Sequence, residues 1–149
     1  MAKLTRVEPI ALMPTPAGCA VFLGDGKKVI SFFIDPSIGA SINAVLAGQK
    51  PDRPLTHDLF AMSLQSFGAK LQRVVIMRME GEVYFARLIF QVENEVQQKK
   101  IVELDARPSD CIALAVRMEA PMYVLTTLWD ELADVSDTLD EMRRAGEDS

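Results

Sequence analysis

Three consecutive segments, Lys70–Glu80, Glu82–Val92 and Lys99–Asp105, are strand-patterned and joined by very short turns. Gly81 marks the first turn and Glu93-Asn94-Glu95 the second. Connections this short cannot cross over a sheet, because parallel neighbours need a dozen residues or more between them. The segments therefore read as an antiparallel meander. A doubly wound parallel fold is excluded, and the expected class is α+β, a mixed or antiparallel sheet with helices in a single compact domain.

The segments before the meander fit that frame. Val7–Met13 is largely apolar, with Pro14 and Pro16 expected to end it. Cys19–Leu23 and Lys28–Ile34 flank Gly24-Asp25-Gly26-Lys27, which has the composition of a hairpin turn. Pro36–Gly48 has Ile38, Ile42, Val45 and Leu46 at helical spacing. Thr56 is a natural N-cap for a helix over His57–Phe67, which Gly68 closes.

After the meander, Arg107-Pro108-Ser109-Asp110 opens a helix to about Met118, with proline suited to the first turn. Pro121–Leu125 reads as a short strand. Thr126 or Thr127 then caps one last helix, with Leu128, Leu132, Val135, Leu139 and Met142 at spacings of four and three. The expected division is a domain over 1–129 and an acidic helix and tail over 130–149.

Composition sets the outer bounds. The chain has 149 residues, 49% hydrophobic and 25% charged, enough for one real core and too apolar for disorder. No stretch approaches the ~20 apolar residues of a membrane span. The N-terminus has no apolar run before a small-residue cleavage site, so the expected address is cytoplasmic. Cys19 and Cys111 read as small buried hydrophobes in a reducing compartment.

Acids outnumber bases 21 to 16, which argues against binding nucleic acid by bulk charge. The excess is local, however. Residues 130–149 hold eight acids and two bases, while the rest holds thirteen acids and fourteen bases. A nucleic acid would have to be held by a few phosphate contacts, in a salt-sensitive way. The acidic tail would compete with phosphate for the arginines.

Two segments carry most of the polar chemistry. Arg53-Pro-Leu-Thr-His-Asp58 and Asp105-Ala-Arg-Pro-Ser-Asp110 each join Arg-Pro to a hydroxyl and an aspartate at an expected helix start. Helix N-termini attract anions, and a neighbouring arginine can hold a phosphate through two parallel bonds. His57, the one histidine, would serve as general acid or base. Asp58, Asp105 and Asp110 could join it, or hold a divalent cation through oxygen. Arg53, Thr56, Arg107 and Ser109 would bind substrate.

Each residue also has a structural role open to it. Thr56 and Ser109 could cap helices for ~1 kcal/mol each. Asp58 and Asp110 could complement helix dipoles for ~0.3–1 kcal/mol each. Arg107 could pair with Asp105 or Asp110. No Gly-rich phosphate loop is present, and no organic cofactor is expected.

At these two segments the chain resembles a known family. Asp52-Arg-Pro-Leu-Thr-His-Asp-Leu59 and Asp105-Ala-Arg-Pro-Ser-Asp-Cys-Ile-Ala-Leu-Ala-Val-Arg117 are similar to the two hallmark motifs of the bifunctional nucleases. The resemblance runs from about Val7 to Trp129. It implies a compact α+β domain, a homodimer or higher oligomer, and nuclease activity on both DNA and RNA; Mg2+ or Mn2+ is the cation that the carboxylates of Asp58, Asp105 and Asp110 would be expected to hold. The matched polar positions are Arg53, Thr56, His57, Asp58, Asp105, Arg107, Ser109 and Asp110.

There is one departure. Many members carry Glu-Ala in the first helix, where this chain has Ile38-Gly39. If that carboxylate is part of the reaction, this chain would be weak or inactive. The alternative reading is a non-enzymatic regulatory or scaffold protein in which both motifs are structural corners.

Overall fold

The computed structural model describes residues 2–147. The strands are β1 (Leu4–Thr15), β2 (Gly18–Gly24), β3 (Val29–Ile34), β4 (Ala69–Glu80), β5 (Val83–Glu93), β6 (Lys99–Ala106) and β7 (Met122–Leu125). The helices are α1 (Pro36–Leu46), α2 (Thr56–Ser66), α3 (Pro108–Met118), α4 (Thr126–Glu131) and α5 (Ser136–Glu147). All seven strands form one sheet, in the order β3-β2-β1-β7-β4-β5-β6. The meander is present as β4-β5-β6, antiparallel throughout. Only the β4–β7 pairing is parallel, so the sheet is mixed and the fold is α+β.

The sheet is strongly curved. Four strands lie between β3, which carries Phe32, and β5, which carries Tyr84, yet their ring centroids are 5.1 Å apart. The main core lies inside this curve. Val21, Leu23 and Ile30 meet Val74, Leu88, Phe90 and the apolar face of α3. α3 is the central helix: Cys111 to Ala115 are all buried.

β1 runs through Pro14 instead of stopping there. Its first four residues pair with β7, but from Glu8 onward it pairs only with β2. The other side of that stretch has no strand partner, so the N–H that Pro9 and Pro14 lack is not missed. α1 covers part of this free side, where Asn43 donates to the Leu12 carbonyl at 3.0 Å.

The last helix is two helices. Leu132 adopts an extended backbone after α4. Asp134 then accepts from the N–H of Val29 at 3.1 Å and of Ser136 at 3.0 Å, pinning the start of α5 to β3. The 4-3 spacing therefore serves two surfaces. Leu128 and Leu132 join the main core, whereas Leu139 packs with Val135 and Met142 on Ala20 and Phe22. Successive residues of β2 face opposite sides of the sheet, so α5 lies across the sheet from α1 and α3. The expected competition between the acidic tail and the motif arginines is corrected for residues 136–147, which are seated on the other face. Asp148 and Ser149 lie outside the described residues.

Gly39 has a local cause. A Cβ there would sit 2.4 Å from Sγ and 2.7 Å from Cβ of Cys19, so α1 approaches β2 at a distance only glycine permits. Ile38 beside it packs on the core. Gly39→Ala is expected to destabilise the fold by about 1–3 kcal/mol through overpacking. In a Cys19→Ala background part of that cost should disappear. Equal costs in both backgrounds, measured by urea unfolding, would mean that Cys19 is not what excludes the methyl.

Candidate functional site

The two polar segments meet. Pro54 and Leu55 lead into α2, and Arg107 with Pro108 into α3. The N-cap of α2 is Leu55, not Thr56; Asp58 instead accepts from the Leu55 N–H at 2.9 Å. The N-cap of α3 is Arg107, so Ser109 is buried in the first turn and is not the cap.

Two side-chain contacts join α2 to α3. His57 Nε2 lies 2.9 Å from Asp110 Oδ1. Arg117 Nε donates to Asp58 Oδ1 at 2.8 Å. Adjacent residues of α2 thus reach opposite ends of α3, seven residues apart.

Asp110 is the hub of the first contact. Arg107 donates to it from Nε at 2.8 Å and from Nη2 at 3.2 Å, a side-on fork. Partial burial favours the neutral acid, but the bonds from Arg107 and His57 outweigh it and hold Asp110 below the usual carboxylate range. An ionised carboxylate at Nε2 fixes the imidazole tautomer. In the neutral ring the lone pair is then on Nδ1, which has no hydrogen-bond partner among the described residues. The fork leaves Nη1 of Arg107 toward solvent, since this side chain is 69% exposed. Asp35, the N-cap of α1, also acts on the Arg107 charge.

The second contact is deeper. Arg117 is 6% exposed and donates to Asp58, to the Ala113 carbonyl at 2.8 Å and to Ser41 Oγ. It ties α1, α2 and α3 together. It also floors a cavity of about 510 Å3 between α1 and α2, which Asp58 lines as well and His57 does not.

The bifunctional nuclease domain matches residues 21–136, well over half of the chain. The chain belongs to the bifunctional nuclease domain family. Two relatives from Mycobacterium tuberculosis, the uncharacterized proteins Rv1829 of strain H37Rv and MT1877 of strain CDC 1551, are each 33% identical over 100 residues. Those residues are 67% of this chain and 56% of each relative, so the chain spans about half the length of the curated relatives it matches.

Within this bifunctional nuclease domain, the candidate residues fall into three groups. His57, Arg107 and Asp110 form one cluster. Asp58 belongs to the Arg117 tie. Arg53, Thr56 and Asp105 are exposed and make no side-chain bond among the described residues. Asp105 stands on β6 opposite Arg87, which pairs instead with Glu103 at 3.1 Å.

The three aspartates do not form a ready divalent-cation site. Among the described residues no three His, Cys, Asp or Glu side chains are grouped to hold a metal ion. Asp58 and Asp110 each have both oxygens engaged by donors of this chain. The two cysteines are free and buried, and burial with the nearby Asp110 and Asp105 pushes Cys111 up to about 12, which makes it inert as a nucleophile. Among the described residues no helix is long and apolar enough to cross a membrane.

The reading of the sequence missed Arg117 and Asp35. Arg117 had a signal: a single cation directly after the apolar run Cys111–Val116, on a helix with an otherwise buried face.

Proposed function

We propose that this chain hydrolyses phosphodiester bonds of RNA and DNA at the His57–Asp110–Arg107 cluster. The observation that carries the reading is the 2.9 Å contact between His57 of one motif and Asp110 of the other. A carboxylate on one ring nitrogen leaves the other to accept a proton. Nδ1 of His57 would take a proton from the attacking water as its oxygen forms the new P–O bond; the P–O bond to the leaving sugar oxygen breaks with its electron pair, and that oxygen takes a proton from solvent while the imidazolium returns its own to water. Asp110 orients the ring and stabilises the imidazolium. Arg107, through its free Nη1, and the unpaired Arg53 would bind the phosphate and stabilise the charge that gathers on its oxygens. Thr56, at the start of α2, could donate to the same phosphate.

Asp58 is assigned to the frame instead, because Arg117 and the Leu55 N–H occupy it. Asp105 is left as a solvent-facing carboxylate near the site. If Mg2+ or Mn2+ takes part, the contact would be made by Asp105 and substrate oxygens rather than by a preformed protein cage.

The test is cleavage of labelled oligonucleotides by purified full-length chain, with and without EDTA. Activity that survives EDTA and disappears in Arg107→Ala fits a reaction run by side chains. Activity that requires added Mg2+ or Mn2+ and disappears in Asp105→Asn would place a cation at β6. The scaffold reading rests on the Arg117 tie and on Ile38, an apolar residue where the resemblance to the family leads to the expectation of Glu. It would stand if no strand is cut under either condition.

A further inference from the structure

We propose that Phe60 and Phe67 form a base-stacking ladder leading away from His57, which restricts the substrate to unpaired strands. The proposal rests on the nuclease reading above and adds the strandedness of the substrate and the residues that select it.

The starting observation is the composition of the α2 surface. Ala61 is its one buried residue, while Leu59, Phe60 and Met62 on it are exposed, and so is Phe67, the C-cap, whose N–H still bonds back to the Ser63 and Leu64 carbonyls; Phe60 and Phe67 are the two aromatic rings among them. Ordinary packing would bury such rings, because each is worth ~1.5–3 kcal/mol out of water. Helix geometry puts the two rings in line. At ~100° and 1.5 Å per residue, Phe67 follows Phe60 by ~10.5 Å along the axis and only ~20° around it. His57 precedes Phe60 by one turn. Asp58 and Met62 face the cavity on the other flank of α2, so the rings and the cluster share one flank.

Charge at the two ends points to a polyanion. Arg53 and Arg107 are exposed near the start of α2. At its far end, the Gly68 carbonyl accepts from the Glu93 N–H, which brings in the ends of β4, β5 and β6. There Lys100 stands opposite Val92, whose side chain packs on the core beneath α2, so Lys100 is the cation on the α2 side of the sheet; Lys70 and Lys99, opposite Gln91 and Glu93, alternate to the other face. Glu93 and Glu95 are the opposing charges at that end. Cations at both ends with aromatic faces between them are the arrangement that holds a single strand, phosphates on the cations and base faces on the rings. Bases in a duplex are ~3.4 Å apart along each strand and covered on both faces. Rings ~10.5 Å apart each need an unstacked base, which a duplex does not offer.

The test is fluorescence anisotropy with the full-length His57→Ala chain, so that strands remain intact. The probes are a labelled 12-mer of thymidylate, an abasic 12-mer and a 12-bp duplex. Thymidylate should bind about tenfold or more tighter than the abasic strand. Phe60→Ala and Phe67→Ala should each weaken thymidylate binding about 5–100-fold and leave the abasic strand unchanged. Phe67→Trp should retain binding, since indole stacks at least as well.

Equal affinity for thymidylate and abasic strands, or for thymidylate and duplex, would overturn the proposal. Unchanged binding by the Phe60→Ala/Phe67→Ala double variant would too, and if that variant also turned a dimer into a monomer in sedimentation, the flank would be a contact between copies. Base-dependent binding without cleavage by the unaltered chain overturns the nuclease reading alone. Failure of every strand to bind overturns both.

Discussion

Arg117→Met is expected to cost the fold about 2–4 kcal/mol. Removing one member of a buried ion pair costs about 3–5 kcal/mol when both are fully enclosed. The lower range applies because Asp58 keeps 23% exposure and retains the Leu55 N–H. The loss is larger than for a surface pair because Arg117 connects three helices through Asp58, Ser41 and the Ala113 carbonyl. Methionine matches the apolar stem but supplies none of those donors. Urea unfolding should show a lower midpoint with an unchanged slope. Adding Asp58→Leu should recover part of the cost, since no carboxylate is then left without its cation.

The same pair gives a pH signature. Burial works against ionisation of Asp58, but Arg117 and the Leu55 N–H hold it below the usual carboxylate range. A carboxyl lowered in the folded state contributes stability that is fully present above its unfolded value, ~3.9. That contribution is lost as pH falls through the lower folded value. Arg117→Met should therefore have a flatter stability profile across that acid window. An unaltered midpoint and an unaltered acid limb would mean that the tie adds nothing to the fold.

Why Arg117 escaped the reading of the sequence is a matter of contact range. Its partners Asp58 and Ser41 lie 59 and 76 positions away. Nothing near Arg117 in the chain announces them. The meander was legible because its cause is local, alternation plus two turns too short for a crossover. The starts of α2 and α3 were legible from Arg-Pro and the following acids, although Leu55 and Arg107, not Thr56 and Ser109, take the cap positions. The break between α4 and α5 was not legible, because the apolar spacing continues through it. What breaks the helix is Asp134 meeting the edge of β3, a contact across 105 positions. Gly39 is similar: its reason is Cys19, which faces α1 from strand β2. Local pattern thus placed both motifs at helix starts, and the sheet order, which depends on distant pairings, determined that His57 would meet Asp110.

His57→Ala is expected to reduce strand cleavage about 10²–10⁴-fold, the usual contribution of a positioned acid or base. The fold should lose little, because Asp110 keeps the two-bond fork from Arg107. Asp110→Asn makes the sharper test. An asparagine amide has nearly the same shape, but it can present an N–H to Nε2 of His57. That would invert the tautomer, place the proton on Nδ1 and disable the base while every atom stays in position. Asp110→Asn should then approach His57→Ala in activity, and the double variant should be scarcely slower than either single one, because residues that act as a unit are not additive. Arg107→Lys separates phosphate binding from proton transfer. The ammonium can hold Asp110 but has no Nη1 left over for the phosphate, so KM should rise more than kcat falls. If Asp110→Asn and His57→Ala lose activity independently and multiply in the double variant, the two residues do not form one proton-transfer unit. If neither loses activity, the 2.9 Å contact between the motifs is a structural corner and the reaction belongs elsewhere on the chain.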